Sequence, residues 1–277
     1  TQITHYRHEI PQLFEYNAVT VVSDGVQTLH GMWSASLEWY APWKTIDGFN
    51  IERNTTGSMK TLIEGLFPKD RLLQYIRSFI LFECDDEKII KKGAKYHQFF
   101  AVRLAAQKSV ETVVAGKDKR IGVIWHTTGS GKSLSMAFLV GLLRPLPELD
   151  NPTIVVQVDR NDLDDQLYDQ FVAARSLVGT VQHADTVDEL REYLKTEGGE
   201  VIFSTIEKFR LKTGENETEH PILSSRSNII IIADEAHRSQ YGFDKGYARY
   251  LSEALPNAHR IGFTGTPLLR DAKKNGY

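Results

Sequence analysis

The densest chemistry in this 277-residue sequence is Thr127-Thr128-Gly129-Ser130-Gly131-Lys132-Ser133. It follows the apolar run Gly122-Val123-Ile124-Trp125 and opens the apolar stretch Ser133 to Leu143, the strand-to-helix setting that a phosphate-binding loop needs. Glycines let the backbone curl until several N–H groups point at one anion, and the helix N-terminus adds the positive end of its dipole. Lys132 can then reach the β- and γ-phosphates of a nucleotide, and the Ser133 hydroxyl can ligate Mg2+. The position five residues before Gly131, usually the first glycine of such a loop, is His126.

A second constellation lies about a hundred residues on, in Ile229-Ile230-Ile231-Ile232-Ala233-Asp234-Glu235-Ala236-His237. Four isoleucines in a row suit a strand buried on both faces, and such a strand delivers Asp234 at its carboxyl end, where open α/β sheets bind ligands. One carboxylate there can hold Mg2+; the next, Glu235, can polarise an attacking water. Alone, Asp-Glu-Ala-His reads as well as a helix cap; downstream of a phosphate loop it reads as that loop's acidic partner. Phe263-Thr264-Gly265-Thr266-Pro267 follows another short apolar run, and its two hydroxyls could sense the γ-phosphate, although by itself it is an ordinary turn sequence.

The elements that must position these groups alternate. Helices are expected over Tyr96–Val114, Ser133–Leu143 and Leu163–Ala173, and strands over Ile121–His126, Thr153–Val158, Val201–Ser204, Ile229–Ala233 and Arg260–Phe263. Alternation of this kind means parallel pairing in a doubly wound α/β domain. Upstream, Gln2 to Arg7 can be helical, Pro11 ends that run, and Ala18–Ser23 is a β-branched strand stopped by the turn pair Asp24-Gly25. Trp33, Trp39, Tyr40 and Trp43 read as core or interface packing. Leu62, Leu66, Leu72, Leu73, Ile76, Phe79 and Ile80 recur at helical spacing around Pro68, and the polar Asp85–Lys95 stretch reads as a linker.

Composition sets the outer bounds. Hydrophobic residues at 41% and charged residues at 25% exclude a disordered tail or a collagen-like rod. One cysteine, Cys84, excludes an internal disulfide and makes a reducing cytoplasm the default compartment. No apolar run approaches the ~20 residues of a membrane helix. A net charge of −3 argues against coating nucleic acid by bulk charge. The charge is uneven, however: residues 87–132 carry ten Lys/Arg against three acids, and residues 150–200 twelve acids against four bases.

The order of these motifs resembles superfamily 2 helicases and translocases, in which a Walker A loop, a DExH Walker B element and a Thr-Gly-Thr element lie on the first RecA-like domain. Helicase-like enzymes often relax the position held here by His126. The resemblance implies that Gln98, upstream in Lys95-Tyr96-His97-Gln98, reads adenine, and that His237 couples hydrolysis to motion with Thr264 and Thr266. Further runs are similar to the R (restriction) subunit of type I restriction-modification enzymes: Pro11–Asn17, Val22–Gly25, Trp43–Thr45, Tyr96–Gln98, Val158–Asp164 and Asp234–Gly242. That resemblance covers nearly the whole chain. It implies a RecA-like P-loop domain with a parallel sheet over residues 96–277, preceded by the C-terminal part of a PD-(D/E)xK nuclease domain (1–50) and a helical connector (51–95).

The same resemblance implies ATP and Mg2+ as cofactors, double-stranded DNA as substrate, and the methylation and specificity subunits as partners. Arg160, in the segment matching a helicase DNA-contact motif, would touch a phosphate, although it reads equally as a surface arginine. Gln2 and Tyr6 match the Gln-xxx-Tyr element that follows the nuclease site. Asp86-Glu87-Lys88 and Asp271-Ala272-Lys273 fit Asp-x-Lys only formally. Thr1 stands where a Met would start a protein, and no Gly-Arg finger motif follows Pro267, so the expectation is a fragment that binds Mg·ATP weakly and hydrolyses it slowly. Two alternatives stay open: another superfamily 2 motor, such as a type III restriction subunit or repair helicase, and a nucleotide-switched binding module.

Overall fold

The computed structural model describes residues 2–52, 58–85, 88–116, 118–127, 129–158, 161–212, 220–236 and 247–265, without the side chains of residues 84, 85, 88 and 161–165. The chain divides into two compact units, Thr1–Ala101 and Val102–Tyr277. Among the described residues, no helix is long and apolar enough to cross a membrane.

The first unit opens with α1 (Gln2–Glu9), then an antiparallel hairpin of β1 (Thr20–Ser23) and β2 (Thr28–Gly31). The Asp24-Gly25 turn forms as expected. Gly25 takes a left-handed φ of 89°, and the Asp24 carboxylate accepts the backbone N–H groups of Val26 and Gln27 at 2.9 and 2.7 Å. Helices α2 (Ser58–Leu66) and α3 (Lys69–Ser78) flank Pro68, whose missing N–H costs nothing at a helix start. Leu62, Leu66 and Phe79 are buried, but Leu73 and Ile76 face outward, so the apolar spacing marks only part of the core.

That core centres on Trp43, which is 1% exposed. Its ring lies 5.2 Å from His30, 6.2 Å from Tyr75 and 5.5 Å from Phe99. Gly65 lets α2 approach, since a Cβ there would fall 2.4 Å from the indole nitrogen. The aromatic cluster is therefore core at Trp43 and Tyr40, whereas Trp39 is largely exposed. One expectation is corrected: Asp85–Lys95 is no linker. Lys88–Gly93 forms β4, antiparallel to β3 (Ile80–Asp85). Its lysines and the outward Ile89 and Ile90 give no alternating pattern, because the two-stranded ribbon exposes much of both faces.

The second unit is built on a parallel sheet, six-stranded among the described residues. Its strands are β5 (Arg120–Trp125), β6 (Thr153–Val158), β7 (Val181–His183), β8 (Val201–Thr205), β9 (Ile229–Ala233) and β10 (His259–Thr264). Their spatial order is β5-β10-β9-β6-β8-β7. Strands β6, β8 and β9 are buried at every residue, as continuous Val/Ile runs in a parallel sheet require. Helix α4 (Tyr96–Ala115) precedes β5; α5 (Lys132–Leu143), α6 (Asn161–Ala173), α7 (Arg175–Val178), α8 (Val187–Tyr193) and α9 (Tyr247–Ala254) are the further α-helices among the described residues. Val155, Ile202 and Ile231 share one core cluster with Leu190 of α8 and Leu251 of α9.

Candidate nucleotide-binding site

Strands β5, β10 and β9 pair in parallel, so their carboxyl ends share one edge of the sheet. The chain leaves β5 into the loop that ends at Gly131, and leaves β9 into Asp234-Glu235. Two glycines shape that loop: Gly129 has φ 81° and open space where a Cβ would stand, and Gly131 has φ 85° as the N-cap of α5. Helix α5 is buried from Ser135 to Leu143, which fixes the axis its N-terminus presents to the sheet edge.

Across that edge the Lys132 ammonium donates to Asp234 Oδ1 at 2.8 Å and to Glu235 Oε1. The three side chains are only 14–23% exposed, so the charges meet in a partly desolvated niche. Burial alone would lower the lysine's pKa; hydrogen bonds and charge from Asp234 and Glu235 outweigh it and raise the group above its ordinary value.

The acidic pair is held by backbone. Asp234 N–H donates to the Gln157 carbonyl of β6 at 2.8 Å, and Glu235 N–H donates to Asp234 Oδ1 at 2.9 Å. Glu235 adopts φ 46°, a left-handed conformation that costs a non-glycine residue of order 1–3 kcal/mol. The turn thus aims two adjacent carboxylates at one cation instead of at opposite faces.

Of the other residues singled out, Thr127, Gly129, Ser130, Gly131 and Ser133 lie on the loop and the first turn of α5, and Thr264 ends β10. Thr264 is buried, and its carbonyl accepts the His126 N–H at 3.0 Å. Gln98 is buried in the first turn of α4, where its side-chain carbonyl accepts the Lys95 N–H at 2.8 Å and caps the helix. Gln2 donates through Nε2 to the Tyr6 hydroxyl at 2.8 Å, one helical turn along α1. Thr128, Arg160, His237 and Thr266 lie outside the described residues, as do Asp86, Glu87 and the 271–273 run.

Two further groups join the loop. His126, in sequence only a departure from the loop's usual pattern, is buried against the loop with ring bonds to Ser130 and Ser135. Trp125 donates its indole N–H to the Gly265 carbonyl at 3.0 Å. The signal was available: a bulky histidine, directly after the strand-ending Trp125, sits where a loop of this kind ordinarily has glycine.

Comparison with known proteins bears on the whole arrangement. The SWI2/SNF2 ATPase family model matches residues 97–276. A type I restriction enzyme endonuclease subunit of Haemophilus influenzae is 46% identical over 98% of this chain and 27% of its own length. A putative type I restriction enzyme endonuclease subunit of Methanocaldococcus jannaschii is 36% identical over 94% of the chain and 26% of its own length. The chain therefore spans about a quarter of the curated relatives it matches. A solved SWI2/SNF2 ATPase core of Sulfolobus solfataricus in complex with dsDNA aligns over 65% of this chain and 33% of that one, at 16% identity and a TM-score of 0.42. With Lys132 and Asp234-Glu235 converging at one end of a parallel sheet inside the matched region, the chain belongs to the SWI2/SNF2 ATPase family and is homologous to type I restriction enzyme endonuclease subunits.

Proposed function

We propose that the chain is the part of a type I restriction enzyme's motor-nuclease subunit that binds Mg·ATP and drives translocation of duplex DNA before cleavage. The observation that carries this reading is the contact of Lys132 with Asp234 and Glu235 at the end of strands β5 and β9. The donor set fits a magnesium nucleoside triphosphate: a lysine, a hydroxyl at Ser133, a helix N-terminus with two left-handed glycines, and an adjacent carboxylate pair. Mg2+ is ordinarily held by one or two carboxylates together with phosphate oxygens, and that is what Ser133, Asp234 and the nucleotide would supply. The bound ion would neutralise charge on the transferred phosphoryl group.

The chain's own residues then divide the work. Thr127, Thr128, Gly129, Ser130 and Gly131 bind the phosphates through backbone N–H groups. Lys132 leaves the carboxylates for the β- and γ-oxygens. Glu235 orients the attacking water. Thr264 and Thr266, with His237, respond to the state of the γ-phosphate. Gln98 reads adenine, Arg160 touches a DNA phosphate, and Gln2 with Tyr6 belongs to the nuclease part. On this reading residues 1–50 end a nuclease domain, 51–95 connect, and 96–277 form the first RecA-like motor domain. The parent would act in the cytoplasm with methylation and specificity subunits.

The test is ATP hydrolysis by the full protein carrying this chain, with and without duplex DNA bearing its recognition site, coupled to displacement of a DNA triplex placed downstream. Site-dependent hydrolysis with triplex displacement supports the reading. Nucleotide binding with no DNA-stimulated turnover favours a nucleotide-switched binding module and overturns it.

A further inference from the structure

The histidine in place of the loop's first glycine is built into the loop. His126 is 5% exposed, and both ring nitrogens face hydroxyls. Nδ1 lies 3.0 Å from Ser130 Oγ, and Nε2 lies 3.4 Å from Ser135 Oγ. Ser130 has one hydroxyl proton and gives it to the Thr127 carbonyl at 2.6 Å. Its oxygen therefore accepts from His126, which places a proton on Nδ1. Ser135 stands on the first turn of α5, and its one hydroxyl proton is shared between Nε2, which accepts, and the Gly131 carbonyl at 3.2 Å. The ring thus spans from the crest of the phosphate loop to the helix that follows it. The same residue's backbone N–H is bonded to Thr264, and its neighbour Trp125 to Gly265. A glycine at position 126 would keep the backbone bond to Thr264 and lose every ring contact.

We propose that His126 is a positioning residue whose ring holds the phosphate-binding loop in its nucleotide-accepting shape against the first turn of α5. The proposal rests on the nucleotide-site reading above. The brace acts before the nucleotide arrives, so its loss weakens binding more than it slows the chemical step. Losing one or two neutral hydrogen bonds of this kind corresponds to roughly a tenfold change in affinity.

The experiment uses the full protein, a fluorescent ATP analogue with Mg2+ for binding, and steady-state ATPase with duplex DNA for turnover. His126→Ala is expected to raise Kd and KM about tenfold while kcat stays within about threefold. His126→Asn places an amide N–H near the Nδ1 position and is expected to recover binding to within about threefold of wild type. Ser130→Ala is expected to weaken binding like His126→Ala, and the double variant to be weaker than either alone by less than the product of the two losses, because the bond between the two residues is lost in both. Wild-type affinity in His126→Ala overturns the proposal. So does an Asn variant that melts normally but binds no better than Ala, or a double variant whose losses multiply in full, with no coupling between the two positions. If His126→Ala does not fold, the Asn and Ser130→Ala variants carry the same test. Lys132→Ala separates the two readings: if it binds normally, the nucleotide site itself is misassigned, whereas a non-binding Lys132→Ala beside a wild-type His126→Ala removes only the brace.

Discussion

Lys132 is the residue on which the site turns, because one ammonium bridges two carboxylates in a niche that water reaches poorly. Removing it deletes the phosphate ligand and takes from Asp234 and Glu235 the cation they share. We expect Lys132→Ala to raise the Kd for Mg·ATP by roughly a hundredfold or more, as loss of charge-assisted bonds implies, measured by equilibrium titration. Binding within a few-fold of wild type would contradict it. Glu235→Gln keeps the shape of the acidic turn while removing its charge. Turnover should fall by about 10²–10⁴ with the Kd for ATP within about threefold, read by single-turnover hydrolysis. Lys132, Asp234 and Glu235 were legible in sequence because phosphate chemistry demands fixed residue types at fixed places on a strand-loop-helix unit. The left-handed φ of Glu235 and the two-ended grip of His126 were not, since each depends on groups far along the chain.

At the scale of elements, one helix carries a local test. Thr186 caps α8: its hydroxyl accepts the Glu189 N–H at 3.1 Å, and the Glu189 carboxylate accepts the Thr186 N–H at 2.9 Å. Thr186→Ala should destabilise the second unit by about 1 kcal/mol, and Thr186→Asp should not, in denaturant titrations. In the first unit, burial holds the His30 imidazole below its ordinary pKa despite the 2.7 Å bond from Nδ1 to the Ala41 carbonyl. The unfolded chain then takes up the proton first as pH falls. His30 therefore stabilises fully above about pH 6.5 and loses that contribution as pH drops toward its lowered folded pKa. Melting temperature should fall between pH 7 and 5, and His30→Gln, a donor that does not titrate, should flatten part of that slope; an unchanged slope would refute the assignment. Strands β6, β8 and β9 showed in the sequence because burial on both faces leaves unbroken apolar runs. Three-residue β7 and the lysine-rich β4 did not, because one is too short and the other too exposed to carry a pattern. Helix α8 was missed although Thr186-x-x-Glu189 announces it.

At the scale of the molecule, the chain supplies the parallel sheet of an SWI2/SNF2 ATPase and about a quarter of the length of its restriction-enzyme relatives. What the geometry offers is the convergence of two loops, about a hundred residues apart in sequence, at the carboxyl ends of β5 and β9. Strand β10 lies between them and carries Thr264 to the same edge. The most direct measurement is a crystal structure of the protein with Mg2+ and a non-hydrolysable ATP analogue. The triphosphate should be wrapped by Gly129 to Ser133, with Lys132 moved from the carboxylates onto phosphate oxygens and the ion between Ser133 and Asp234. A nucleotide bound elsewhere, or one seated while Lys132 stays on Asp234 and Glu235, would contradict that arrangement.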